Sequence, residues 1–140
     1  MTPQAAGVLL INAQNQVLLV RHNYGQRRYS LPGGAVEPSE AITDAALREL
    51  QEELGIQVAL ERLVDIYRTV GMNKPERDVF VFLAHPPASL AFQADPLEVA
   101  EVGWFDPHHL PSPLTNEIKA ALQDHLEGQY GSMKTIEREN

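Results

Sequence analysis

The sequence predicts a mixed α/β fold of the α+β type, built on a mixed β-sheet with helices on its two faces. Apolar residues recur at helical spacing over Ile42–Leu54 and again over Leu114–Leu126. Short runs rich in β-branched and aromatic residues flank both segments, as strands do. The resulting order is strands, helix, strands, helix, without the regular alternation that builds a doubly wound sheet.

Taken in order, Val8–Ile11 and Val17–Val20 are apolar runs joined by the polar stretch Asn12–Gln16, a hairpin pattern. Arg21–Gly34 reads as a loop that closes in a Pro-Gly-Gly turn. Ala46, Leu47, Leu50 and Leu54 form one helical stripe, and Gly55 stops it as a C-terminal glycine does. Ile56–Val70 and Asp78–Ala84 have strand composition and are separated by the turn-like Gly71–Arg77. Phe80 and Phe82 share one sheet face, which serves either the core or a substrate wall. His85–Pro96 carries three prolines and is expected as a surface loop, and Glu101–Phe105 as the last strand, with Trp104 in the core. Leu114, Ile118, Ala121, Leu122 and Leu126 mark a second helix that closes near Gly128. His108 and His109, in the turn before it, read as surface residues. The expected division is one domain over 1–128 and a polar tail over 129–140. That tail has little to bury, and is either disordered or packed on a partner chain.

Composition narrows the function classes. The chain has 140 residues, 44% of them hydrophobic, enough for a single core. No run of apolar residues is long enough for a membrane span, and the N-terminus lacks the pattern of a secretory signal. With no cysteine there is neither disulfide nor thiolate metal site, and a cytoplasmic location is the default expectation. A net charge of -8 argues against holding duplex nucleic acid by its phosphates. It leaves open a small polyphosphate substrate, provided metal ions bridge the two anions.

The segment Gly34–Ile56 carries the chemistry. Glu49, Glu52 and Glu53 stand at i, i+3 and i+4, so their carboxylates converge over one helical turn beside the apolar stripe. A solvated glutamate face is the bland alternative, and it predicts compensating cations. Between Asp44 and Leu54 the sole cation is Arg48. The imbalance favours a hard divalent cation such as Mg²⁺ or Mn²⁺, which takes oxygen ligands and leaves positions for water and phosphate.

Gly34, Glu40, Arg48, Glu49, Leu50, Glu52, Glu53, Gly55 and Ile56 match, without departure, the signature of the Nudix hydrolases, the MutT-related family. Such a match arises by chance on the order of once in 10⁹ starting points. The resemblance implies an α/β/α sandwich with a mixed sheet over Pro3 to about Leu126. It also implies hydrolysis of a phosphoanhydride in a nucleoside diphosphate derivative, by water attack on phosphorus with Mg²⁺ or Mn²⁺ present.

Carried onto this chain, Glu49, Glu52 and Glu53 become the metal-ligand carboxylates, with a backbone carbonyl of Gly33 or Gly34 beside them. Glu40 and Arg48 become orienting residues. The general base is either Glu49 on the helix or a distant glutamate, Glu98 or Glu101, with Glu98 favoured as a supplementary metal ligand. Arg27, Arg28 and Tyr29 either grip phosphate beside Gly34 or ride a solvated loop, and Arg21 and His22 extend that patch. Expected partners are a small nucleotide, no duplex nucleic acid and no membrane, with a homodimer raised by its frequency among relatives. A catalytically silent Nudix-fold nucleotide-binding module is the alternative, although the uninterrupted signature disfavours it. The tags that mark NADH-, diadenosine-polyphosphate- and ADP-ribose-cleaving members are missing, which lowers the dinucleotide-polyphosphate and ADP-ribose types without removing them and leaves a nucleoside triphosphate or nucleotide-sugar open.

Overall fold

The computed structural model describes residues 2–87 and 91–139. In chain order it contains β1 (Gln4–Leu10), β2 (Val17–His22), β3 (Tyr29–Ser30), β4 (Gly33–Ala35), α1 (Ile42–Leu54), β5 (Leu60–Val70), β6 (Arg77–Ala84), β7 (Val99–Phe105), α2 (Ile118–Glu127) and β8 (Lys134–Glu137). Five strands make one sheet in the order β4-β1-β6-β5-β8, and three make a second in the order β3-β2-β7. The larger sheet is mixed. β1 runs parallel to β6 and β5 parallel to β8, whereas β1–β4 and β5–β6 are antiparallel.

Side chains alternate across the central strands and so divide the core in two. Ala6, Val8 and Leu10 of β1, with Leu18 and Val20 of β2, meet Ala45, Ala46, Leu50 and Leu54 of α1. Leu9, Leu19, Val79, Val81 and Leu83 point the other way and meet Ile118, Ala121 and Leu122 of α2. Both faces are therefore covered, which is why these strands read as continuous apolar runs instead of alternating ones. Each fully buried aliphatic side chain contributes roughly 1.5–3 kcal/mol to this sandwich. No described helix is long and apolar enough to cross a membrane.

Helix α1 has the bounds its periodicity predicts, and Gly55 closes it at φ 65°, its N–H donating to the Gln51 carbonyl. One detail differs: Leu47 is at the surface, while Ala45 and Glu53 are buried. Phe80 and Phe82 both pack on the α1 side, as does Trp104, which lies 6.0 Å from Phe92. These aromatics belong to the core. His109 is on the surface, paired with Asp106. Part of the expected His85–Pro96 loop, residues 88–90, lies outside the described residues.

Two expectations change. The Asn12–Gln16 turn forms, but pairing of the flanking strands ends at the single bridge Ile11–Val17. β1 is then taken by β4 and β6, and β2 by β3 and β7. The hairpin thus opens into two sheets. The Gln129–Asn140 tail is not loose over its described part, because residues 134–137 add strand β8 to the edge of β5.

Buried polar groups hold that strand, which a hydropathy reading does not detect. Asp65 accepts from the Ser132 hydroxyl at 2.7 Å, the Met133 N–H at 2.6 Å and the Ile66 N–H at 2.8 Å. Asp124 accepts from Tyr67 Oη at 2.5 Å and from the Lys134 ammonium. Burial pushes the Asp65 carboxyl up, but the Ser132 hydroxyl and the two N–H groups outweigh it and hold it below the usual aspartate range. A carboxyl depressed on folding stabilises above its unfolded pKa, about 3.9, and that contribution fades as pH falls through the lower folded value. Asp65→Ala is expected to destabilise by about 3 kcal/mol. Hydrogen exchange is expected to show lost amide protection in β8. Unchanged protection would mean that the ladder alone holds the strand.

Candidate active site

Local chemistry builds the site where β4 meets α1. Arg48 is its electrostatic hub. Its Nε and Nη2 donate to the two oxygens of Glu40 at 2.8 and 3.0 Å, and Nη2 also donates to the Ala35 carbonyl at 3.0 Å. Nη1 reaches Glu49 at 3.0 Å and Glu52 at 3.2 Å. The guanidinium holds the Glu40 carboxyl below its usual range, and Glu40 in turn strengthens the protonation of Arg48. A planar fork of donors suits this task in a way that a lysine does not.

Glu53 is buried, 1% exposed, and points to the other side of the turn. One carboxylate oxygen accepts the Gly33 N–H at 2.7 Å, and the other lies 2.6 Å from His22 Nε2. The hydrogen bond to Glu53 raises the His22 pKa against the opposing effect of burial, and the charges of Glu53, Glu98 and Glu49 add to it. Burial and then the charge of Glu53 raise the Glu49 carboxyl, with Arg48 opposing.

Two glycines allow this closeness. A Cβ on Gly34 would stand 2.7 Å from the Glu49 carboxyl carbon, and one on Gly33 would stand 2.1 Å from the Ala6 carbonyl oxygen. Beside them opens a cleft of about 330 Å³ whose wall includes His22, Tyr24, Gly33, Gly34, Ser30 and Glu117. A larger, mostly apolar hollow of about 540 Å³ lies between Pro107–Leu114 and α2. None of its lining residues contacts the α1 carboxylates. The smaller cleft is walled by His22 and Gly33, which bond Glu53, and by Gly34, which abuts Glu49, so the smaller cleft is the one joined to the chemistry.

The other expected residues are placed as follows. Glu98 belongs to a loop pinned to the end of β2, where its carbonyl accepts the Asn23 N–H at 2.8 Å. Glu101 is engaged elsewhere, by Tyr29 Oη at 2.6 Å and by Arg21 at 3.6 Å. Tyr29 packs edge-on against Phe105, and Arg28 donates to the Leu114 carbonyl at 2.9 Å, so neither lines the cleft. Arg27 is exposed and does not line it either. Residue patterns did not single out Tyr24, Ser30, Arg77, Thr115 and Glu117, which do. These positions carry no sequence signal because they come from four separate segments.

Among the described residues, no group of three acidic or histidine side chains is gathered to hold a metal ion. The reason is local: Arg48 draws Glu49 and Glu52 to itself, and His22 with the Gly33 N–H draws Glu53 away. The donor set nevertheless fits a hard divalent cation. It consists of carboxylate oxygens on one helical turn, and the Glu49 carboxyl is raised where burial and Glu53 leave negative charge uncompensated.

Comparison with known proteins places this arrangement. The NUDIX domain family model matches residues 1–125. A Bacillus subtilis (strain 168) protein given as a candidate 8-oxo-dGTP diphosphatase is 30% identical over 97% of this chain and 88% of its own length. An isopentenyl-diphosphate Delta-isomerase of Cereibacter sphaeroides (strain ATCC 17025 / ATH 2.4.3) is 32% identical over 92% of this chain and 82% of its own length. Among solved structures, a MutT NUDIX hydrolase from Burkholderia pseudomallei superposes with a TM-score of 0.77 at 28% identity, covering 89% of this chain and 98% of that one. With its complete signature on α1, its two-faced sandwich and a match over 1–125, the chain belongs to the Nudix family and is a MutT-like pyrophosphohydrolase.

Proposed function

We propose that the chain hydrolyses a nucleoside triphosphate in the presence of Mg²⁺ or Mn²⁺, with the phosphates lying over Gly33–Gly34 and the nucleoside in the adjoining cleft. The observation that carries this reading is the cleft itself, whose wall includes both glycines that contact Glu49 and Glu53. The similarity to a candidate 8-oxo-dGTP diphosphatase supports a triphosphate substrate. An isomerase among the relatives means that overall likeness does not choose the reaction, so the site must.

In this reading Glu49, Glu52 and Glu53 hold the cation with a Gly33 carbonyl, and Glu98 supplements them. When bound, the cation would neutralise phosphate charge and polarise the bridging oxygen. Arg48 keeps Glu49 and Glu52 from splaying apart and is itself braced by Glu40. Water adds to one phosphorus of the α–β anhydride, its P–O bond to the bridging oxygen breaks, the nucleoside monophosphate or pyrophosphate so released leaves with the electron pair, and a carboxylate takes the water proton. Glu49 and Glu98 are the two candidate acceptors. Single Gln variants across a metal titration separate them, because a variant that loses only a ligand regains kcat at saturating metal while a variant that loses the base does not.

The direct test is a metal-dependent release assay across nucleoside triphosphates, nucleotide-sugars and isoprenoid diphosphates, with product identification. Nucleoside monophosphate and pyrophosphate are expected, with activity abolished by a chelator and restored by Mg²⁺ or Mn²⁺. Nucleotide that binds but survives prolonged incubation with metal would establish the silent binding module instead.

A further inference from the structure

The turn that carries Glu98 is anchored by hydrogen bonds and not by burial, since Pro96 is exposed and Leu97 is 85% exposed. The Gln93 N–H donates to the Leu54 carbonyl at 2.8 Å and the Asp95 N–H to the Glu53 carbonyl at 3.0 Å, which ties the segment to the end of α1. Asp95 then closes the turn. Its carbonyl accepts the Glu98 and Val99 N–H groups at 3.1 and 2.8 Å, and its carboxylate accepts the Leu97 N–H at 2.9 Å. From the other side Asn23, half-buried, grips the turn twice. Its Nδ2 donates to the Pro96 carbonyl at 2.7 Å, and its N–H to the Glu98 carbonyl at 2.8 Å. A β-bulge makes this meeting possible. Arg21 pairs with Glu101 but His22 pairs with Val99, so Ala100 is an extra residue in β7. Because strand side chains alternate, the extra residue reverses the face to which the residues before it point. Val99 instead of Ala100 enters the α1 side of the core beside Val102 and Trp104, and Glu98 comes opposite Asn23. The Glu98 charge there reaches His22, the partner of Glu53.

We propose that Asn23 is a positioning residue for Glu98: its side-chain amide fixes the Asp95–Glu98 turn and so holds the Glu98 carboxylate toward the α1 carboxylates, on the side of His22. The inference rests on the role given to Glu98 above and deepens it. A turn without a buried apolar anchor opens readily unless polar contacts restrain it. The ties to Leu54 and Glu53 hold the entrance of the turn, and the Asn23 amide holds its tip. Restraint matters because a reacting group displaced by about 1 Å can lose about 100-fold in effect. A residue that orients a ligand without touching the metal typically contributes about 10–100-fold to metal affinity or activity. Alanine at position 23 would keep the backbone bond to Glu98 and remove only the amide, so the loss is expected at the lower end of that range.

The test is a double-mutant cycle over the wild-type protein, Asn23→Ala, Glu98→Gln and the double variant. Two readouts are used: Mn²⁺ binding to the metal-free protein, followed by the electron paramagnetic resonance of the free ion, and pyrophosphate release from an equimolar mixture of GTP, ATP, CTP and UTP. Asn23→Ala is expected to weaken at least one readout about 10-fold, and Glu98→Gln to weaken the same one by more. In the Glu98→Gln background Asn23→Ala is expected to change that readout by less than about 2-fold, because its effect passes through the Glu98 carboxylate. A merely structural role would give the same loss in both backgrounds, and that result overturns the proposal. Wild-type behaviour of Asn23→Ala in both readouts overturns it too. Asp95→Ala loosens the same turn from the other side and carries the same comparison if Asn23→Ala folds poorly. Glu98→Gln at the wild-type level in both readouts removes Glu98 from the site and this inference with it, leaving the α1 carboxylates standing. No release from the triphosphate mixture counts against the proposed function, and the Mn²⁺ titration then decides the placement of Glu98 by itself.

Discussion

Glu53→Gln is expected to lower kcat/KM by more than about 100-fold while the protein stays folded. The bound follows from ordering: outer-shell partners of a metal site typically contribute 10–100-fold, and a ligand contributes more. The fold is expected to survive because glutamine is isosteric and keeps an oxygen for the Gly33 N–H, which Glu53 accepts at 2.7 Å. What disappears is the negative charge beside His22 and Glu49. Circular dichroism and the thermal midpoint report the fold, and steady-state kinetics across a metal titration report the site. Turnover at the wild-type level, with metal requirement unchanged, would remove Glu53 from the machinery and leave it a buried structural carboxylate.

Gly33→Ala is expected to destabilise by about 3 kcal/mol or more, near 10 °C in the thermal midpoint for a chain of this size. The new methyl would stand 2.1 Å from the Ala6 carbonyl oxygen and 2.7 Å from the Gly7 Cα. Both are backbone atoms of β1, so relief requires the β1–β4 pair to separate, and no side-chain rotation suffices. Gly34→Ala provides the contrast. Its methyl meets first the end of the Glu49 side chain, at 2.7 Å, which can turn aside, so the fold is expected to hold while activity drops. Gly128→Ala, with nothing within 4 Å but a φ of +66°, is expected to lose about 1 kcal/mol through backbone strain alone. Equal losses at Gly33 and Gly128 would show that close approach of the backbone is not what position 33 requires.

Much of the catalytic half of the molecule was legible from residue spacing. The i, i+3, i+4 relation of Glu49, Glu52 and Glu53, the position of Arg48 and the stop at Gly55 are local properties of one helix, and α1 forms with the bounds they imply. Local pattern could not foretell that Glu53 would be buried, because its partners His22 and Gly33 lie 31 and 20 residues away. The hairpin reading of β1 and β2 failed for a related reason. The turn between them is local, but their pairing partners β6 and β7 come from much later in the chain.

Residue order alone therefore settles the signature helix and, through it, the reaction class, since both depend on contacts within a few turns of one element. Folding in three dimensions settles the rest: the attachment of β8 through Asp65 and Asp124, the engagement of Arg28 and Tyr29 away from the cleft, and the meeting of Ser30, Thr115 and Glu117 around one space. Each of these joins segments far apart in the chain through buried polar groups. Hydropathy and periodicity describe what a segment buries, and they carry no information about which distant donor a buried acceptor will meet.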